Sequence, residues 1–381
     1  MSRFSRLGVA ALLAAGLAAA AAWGATAHTS AKVPASCDGL VYAHMGPLTG
    51  ANAVLGQEQL TWDKFELSQF NATHHTNFKL FEADDQLSAA QGSTVAQQIV
   101  SNPKILAVVG PAGSQVVIAA GAIFTPAGIA MVSQSATDAS LSDGRFPTFF
   151  RVNANNDSQG PVILGLIKKK LKPKKILVVD DQSPDKAQLA DYLAGKLRTA
   201  GVQVDRQTVS RTATDFSSLI ARIDTQTSVV MLSFQTATEG QLFGQQMKEQ
   251  AKLATIVGAN GVYSPSQFTI DGSYVASFAP DIHYVKSAKN FLRLYGKKLG
   301  TFGSYGPASY VATEVVLNAM WNACKDGKPA TRRNVLAQVR KTNIKKTILG
   351  VPVKFAANGN NRYATFFLFH VVNGKYVLVT K

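Results

Sequence analysis

Residues 109–160 read VGPAGSQVVIAAGAIFTPAGIAMVSQSATDASLSDGRFPTFFRVNANNDSQG. Two short apolar runs, 105–109 and 129–132, each lead into small hydroxyl residues: Ser114 after the first, and Ser133, Ser135 and Thr137 after the second. Short apolar runs punctuated by glycine and proline, here Gly110-Pro111, read as buried strands. In an open α/β sheet the carboxyl ends of parallel strands are where ligands bind. The stretch is therefore expected to form one wall of a small-molecule site. Its polar end, Asn153-Ala154-Asn155-Asn156-Asp157, leads out to a second lobe.

Working outward, the chain alternates strand and helix on both sides. Upstream, the spacing predicts a strand over 40–44, the turn Gly46-Pro47-Leu48-Thr49-Gly50, a helix through about Asn71, a strand over 78–81 ending in Asp84-Asp85, and a helix over 89–100. Downstream, Asp157 suits an N-cap and Pro161 a first helical turn. A second series then follows: strand 176–179 ending in Asp180-Asp181, helix 186–200 stopped by Gly201, strand 202–209, helix 215–225, strand 229–233, helix 238–252 and strand 255–258. Alternation of this kind builds parallel sheets. The fold class is α/β, with two doubly wound, Rossmann-like lobes.

The tail supplies helices over 287–299, 306–324 and 331–341, then short antiparallel strands over 350–355, 363–371 and 376–380 separated by Asn-Gly turns. Helices without strands must cover a sheet already built, so they are expected on the first lobe and the last strands on the second. The chain then crosses three times, near 153–157, 279–284 and 344–350. The lobes are residues 28–154 plus 285–345, and 155–284 plus 346–381. Several crossovers make a hinge, and a hinge between lobes makes a closing cleft.

At 381 residues with 46% hydrophobic content, the chain exceeds a single-core domain and buries substantial cores. Arg3 and Arg6 precede an uncharged run over 7–24, and Ala25-Thr26-Ala27 fits signal-peptidase cleavage, so residues 1–27 read as a signal peptide. An uncleaved membrane anchor is the rival reading, disfavoured by the short Ala-rich core. The mature chain is expected to be soluble and periplasmic or extracellular, with its formal charge reduced from +16 to about +14. In an oxidising compartment Cys37 and Cys324 suggest one disulfide, and two buried thiols are the other reading. The densest basic run, Lys168-Lys169-Lys170-Leu171-Lys172-Pro173-Lys174-Lys175, lacks interleaved aromatics and reads as a helix end rather than a nucleic-acid platform. Asp84-Asp85 and Asp180-Asp181 fall in different lobes, the histidines lack zinc spacing, and no phosphate loop, nucleophile elbow or CxxC is present in the sequence. No metal, cofactor or enzymatic constellation is expected.

Taken in order, Gly46-Pro47-Leu48-Thr49-Gly50, Val109-Gly110-Pro111 with Ser114, Ser133-Gln134-Ser135-Ala136-Thr137, Leu141, Phe150-Arg151, Asp157, Gln159-Gly160, Thr214-Asp215-Phe216 and Gly306-Pro307-Ala308-Ser309-Tyr310 resemble the type I periplasmic solute-binding proteins of ABC transporters, in the branch that binds leucine, isoleucine and valine. The resemblance covers nearly the whole mature chain. It implies that Ser114 and Thr137, with helix-start amides, hold a ligand α-carboxylate, and that the Ser135 carbonyl accepts from a ligand ammonium, with Ala136 between them. An anion at a helix N-terminus meets unpaired N–H groups and the positive dipole end. Capping of turns is the structural alternative for such hydroxyls. In the second lobe the sequence departs from the family: Asn260 stands where an acid would pair with the ammonium, Asp185 is the nearest match to a tyrosine position, and Gln235 follows a strand into the same cleft.

The expected function is an extracytoplasmic, monomeric binding protein, not an enzyme, that captures a small carboxylate-bearing solute such as an amino acid and presents it to an ABC permease. A ligand-sensing module for a membrane receptor or sensor kinase is the alternative that the same fold would serve.

Overall fold

The computed structural model describes residues 33–300 and 302–380. The expected signal peptide and its cleavage site lie outside the described residues.

The first sheet is wholly parallel. It contains β1 (Val41–Gly46), β2 (Lys79–Asp84), β3 (Ile105–Val109), β4 (Ala130–Ser133) and β5 (Phe149–Arg151), connected through α1 (Ala53–His74), α2 (Ala89–Ser101) and α3 (Ser114–Phe124). Its spatial order is β2-β1-β3-β4-β5, which reverses direction between β1 and β3. Such a switch point opens a crevice beyond the strand ends. β3 and β4 are buried along their whole length, which is why they read as continuous apolar runs without alternation.

The second sheet follows α4 (Asn156–Leu166), which runs into a π-helical turn over Ile167–Leu171 carrying three of the exposed lysines. It holds β6 (Lys175–Asp180), β7 (Gln203–Thr208), β8 (Thr227–Ser233), β9 (Thr255–Gly258) and β10 (Tyr274–Ser277), all parallel, with α5 (Pro184–Thr199), α6 (Ser217–Ile220) and α7 (Ala237–Glu249) between strands. The expected helix over 215–225 is only the single turn α6. The strands β5 and β10 were not anticipated.

The late helices α8 (Lys289–Leu299), α9 (Tyr305–Cys324) and α10 (Arg332–Arg340) return to the first sheet, where α9 and α10 pack on β3 and β4, and α9 on α1. Trp62 of α1 anchors this return. It is buried, stacks on Phe291 and meets Phe302 and Tyr310 edge-on. A Cβ at Gly306 would come within 2.3 Å of the Trp62 indole nitrogen, so the start of α9 can approach α1 only as glycine. Arg332 bonds the carbonyls of Ile99, Val100, Asn102 and Ile105, tying α10 to the edge of β3.

The short ladder of β11 (Asn343–Ile344) with β12 (Val353–Lys354) corrects the expectation that a strand over 350–355 joins the second sheet. The hairpin of β13 (Phe367–Val372) and β14 (Lys375–Thr380) does join it, antiparallel to β10, giving the order β14-β13-β10-β9-β8-β6-β7. Asn373 and Gly374, both at positive φ, make its turn.

Cys37 and Cys324 form a disulfide between the turn ahead of β1 and the end of α9. Cys37 closes a short 3-10 turn over Ala35–Cys37, just ahead of β1. The bridge sits at the amino ends of the strands, opposite the switch-point crevice.

A buried acid shapes pH dependence in the first lobe. Burial pushes the Glu66 carboxyl of α1 up to about 8, against a lowering hydrogen bond from Tyr310. Its folded pKa lies above the unfolded value, so between about pH 4.5 and 8 the native state binds more protons, and stability falls as pH rises through that window. Glu66→Gln is expected to flatten this slope and to raise urea-unfolding stability at pH 8 by on the order of 1–3 kcal/mol, with little change at pH 4.

Candidate functional site

The first-lobe wall is built where β1, β3 and β4 end. Gly110 has φ 116°, and a Cβ there would stand 2.2 Å from the Met45 carbonyl oxygen, so only glycine lets the chain leave β3 beside β1. The chain then enters α3 at Ser114 with Gly113 as N-cap and no side-chain cap, leaving the first amides of the helix for other acceptors. The Ser114 hydroxyl accepts from the Asp138 N–H at 3.2 Å, so its own proton remains available to the cavity it lines. Ser133 serves the loop instead: it donates to the Pro111 carbonyl and accepts from the Ala136 N–H. Ser135 lines the cavity, donates to the Ala112 carbonyl and accepts from Gln59.

Arg151 holds this loop from behind. It is fully buried and gives hydrogen bonds to the carbonyls of Ala136 and Asp138, to the Asn360 side-chain carbonyl and to the Ser142 hydroxyl. Burial pulls its pKa down to about 10, which still leaves it charged. The Ala136 carbonyl also accepts from Asn153. Ala136 is thus committed at both its N–H and its carbonyl and lies off the cavity wall.

The second lobe brings up the start of α5 and the ends of β8 and β9. Asp185 sits in the first turn of α5, and one of its oxygens accepts from the Thr137 hydroxyl across the cleft at 2.8 Å and from Lys186 Nζ at 2.6 Å. Its other oxygen is buried without a partner. Lys186, only 2% exposed, also donates to Asn260 Oδ1 at 3.1 Å. Asn260 opens a 3-10 turn after β9, and a Cβ at the next residue, Gly261, would meet the Phe234 carbonyl oxygen at 2.2 Å, which fixes glycine where this turn crosses β8. Gln235 receives the Ser183 hydroxyl, donates its own N–H to Asp181, and faces Gln115 of the first lobe at 3.4 Å. Burial raises the Asp181 carboxyl against the bonds it accepts. Gln188 completes the seam with bonds to the Ala139 N–H and the Asp138 carboxylate.

These contacts leave a cavity of about 20 Å³ lined by Ser114, Ser135, Asp185, Lys186, Gln235 and Asn260, with Leu55, Leu87 and Tyr305. That is room for roughly one water. A neighbouring cavity of about 50 Å³ shares Leu55, Gln235 and Tyr305 and includes Glu58, whose carboxylate accepts the Gly303 and Gly306 N–H groups. Five of the seven residues singled out from sequence therefore meet around one cavity, and Thr137 adjoins it through Asp185. The sequence reading passed over Lys186, Tyr305, Gln115 and Gln188. Two of these left a signal, because Lys186 follows Asp185 directly and Tyr305 precedes the Gly306-Pro307 match.

Asp84 and Asp85 end β2, where they take backbone N–H groups of the following turns, and Asp180 and Asp181 do the same after β6. No cluster of three or more potential metal ligands occurs among the described residues. No helix among them is long and apolar enough to cross a membrane.

The periplasmic binding protein family matches residues 43–375. An amino acid binding protein of Pseudomonas aeruginosa is 27% identical over 345 residues, 88% of this chain and 89% of that one. A Leu/Ile/Val-binding protein homolog of Brucella abortus is 26% identical over 312 residues, 80% of this chain and 83% of its own. Among solved structures, the branched-chain amino acid transporter substrate binding protein LivJ of Streptococcus pneumoniae, in complex with isoleucine, superposes with a TM-score of 0.79 at 22% identity, covering 90% of this chain and all of that one. A solute binding protein of an ABC transporter from R. palustris, in complex with benzoate, gives 0.77 at 15% identity, covering 90% and 95%. Two largely parallel sheets in this order, with the type I fold of the solved structures and a family match over most of the sequence, place the chain in the periplasmic binding protein family.

Proposed function

We propose that the protein captures a small carboxylate-bearing solute between its lobes, outside the cytoplasm, and delivers it to an ABC permease. The observation that carries this reading is the Thr137 hydroxyl. Together with Ser114 and the uncapped start of α3 it makes an anion-binding corner, and the group Thr137 already holds is a carboxylate, that of Asp185. Isoleucine and benzoate, the ligands named for two structural neighbours, share one polar group, the carboxylate. Hinge segments at 153–157, 279–284 and 344–350 would let the lobes part, admit the solute and close on it. A solute that bridges both lobes only when they are closed shifts the population toward that state.

Thr137→Ala is expected to weaken binding of the best carboxylate ligand about 10- to 100-fold in isothermal titration calorimetry, the loss of one charge-assisted hydrogen bond. The mature chain is first screened by thermal shift against amino acids, oxo acids, aromatic acids and amides. An unchanged dissociation constant in Thr137→Ala, or stabilisation only by solutes without a carboxylate, would sink the reading.

A further inference from the structure

We infer, building on the carboxylate reading above, that the preferred solute carries no free ammonium group and offers an oxygen acceptor in its place. Among the residues lining the 20 Å³ cavity Asp185 is the sole acid, and it is already engaged by a resident ammonium, Lys186 Nζ, at 2.6 Å. The second acceptor on that wall, the Asn260 side-chain carbonyl, is taken by the same ammonium at 3.1 Å. The one acid on that wall and the amide carbonyl beside it are thus occupied from within the protein, which leaves a ligand ammonium no free counter-charge there. Lysine is seldom buried unless it is paired, and Lys186 is 2% exposed.

A ligand ammonium would have to win Asp185 from Lys186, stranding a buried charge, or share it with a like charge at contact distance. Of the neighbouring acids, Asp181 accepts the Ser183 and Gln235 N–H groups, Asp138 accepts the Ser140 N–H and the Gln188 amide, and Glu58, in the adjoining cavity, accepts those of Gly303 and Gly306. An acceptor fares differently. An ammonium has three N–H donors, and two of those on Lys186 are used, so one remains for an acceptor on a solute in the cavity that Lys186 lines. The ligand class is a carboxylic acid with an oxo, hydroxyl or second carboxylate oxygen where an amino acid has nitrogen.

The test is calorimetric titration of the mature protein with matched pairs: leucine against 4-methyl-2-oxopentanoate, phenylalanine against phenylpyruvate, and glutamate against 2-oxoglutarate. The deaminated member of at least one pair is expected to bind tighter by 10-fold or more. Lys186→Met, which frees Asp185, is expected to shift that ratio toward the amino acid by 10-fold or more, whereas Lys186→Arg keeps it. Fold retention in both variants is checked by circular dichroism, and the wild-type ratio stands as a test that needs no variant. Amino acids binding as tightly as their partners in every pair, or an unaltered ratio in folded Lys186→Met, would overturn this inference alone. Binding of neutral solutes with no response to any carboxylate would overturn it together with the carboxylate reading.

Discussion

Arg151→Met is expected to destabilise the protein by about 3–5 kcal/mol in urea unfolding and to weaken solute binding at least 10-fold in calorimetry, although Arg151 does not line the cavity. The expected size follows from what the guanidinium holds. It spans the carbonyls of Ala136 and Asp138 on one side of the loop and Ser142 and Asn360 on the other. Methionine fills much of the volume but donates nothing, leaving the buried Asp138 carbonyl unsatisfied on one flank of Thr137 and the Ala136 carbonyl on the other with Asn153 alone. The Thr137 hydroxyl then loses the fixed position from which it meets a carboxylate, so affinity falls along with stability. Arg151→Lys is expected to recover only part of each, because one ammonium cannot reach acceptors arranged for a planar fork. If Arg151→Met loses stability but keeps its full affinity, the loop is held by other means.

Removing the disulfide should have the largest effect on stability alone. Cys37 and Cys324 are separated by 287 residues, so the bridge closes a loop that includes most of the chain. The loop-entropy estimate for closures of this size is roughly 6 kcal/mol, an upper figure for the native bridge. Cys37→Ser with Cys324→Ser is expected to lower stability by about 3–5 kcal/mol relative to the oxidised protein, and dithiothreitol should reproduce the loss in the wild type. Solute affinity should be nearly unchanged, because the bridge lies at the opposite end of the sheet from the cleft. A strong effect on affinity with little on stability would contradict this account.

Most of the fold was legible because its strands are buried on both faces. Runs such as Ile105–Val109 and Thr255–Gly258 are apolar and sharply bounded, so glycine and proline mark their ends. Tyr274–Ser277 escaped notice because a four-residue strand inside 263–284 has no helical partner in sequence, and the Asp271-Gly272 turn just ahead of it is the one local mark of its start. The helix expected over 215–225 failed because Asp215 and Asp224 cap turns rather than a continuous helix, bonding the N–H groups of Ser217 and of Gln226 and Thr227.

The candidate site was half legible for a similar reason. Ser114 and Thr137 sit next to recognisable strand ends, and position alone marks them. Lys186 and Arg151 matter through partners 74 and up to 209 residues away in sequence, Asn260 and Asn360, and no local pattern reports such a pairing. The assignment of Asp185 needed the neighbouring lysine to be read with it, since the pair rather than the acid sets the charge of that wall.

The route of the chain bears also on how the protein is made. When a nascent chain has emerged through residue 284, the first sheet still lacks α9 and α10, and the second still lacks the β13–β14 hairpin formed by the last residues. Neither lobe can bury its apolar surface until almost the whole polypeptide is available, and contacts this distant in sequence form late.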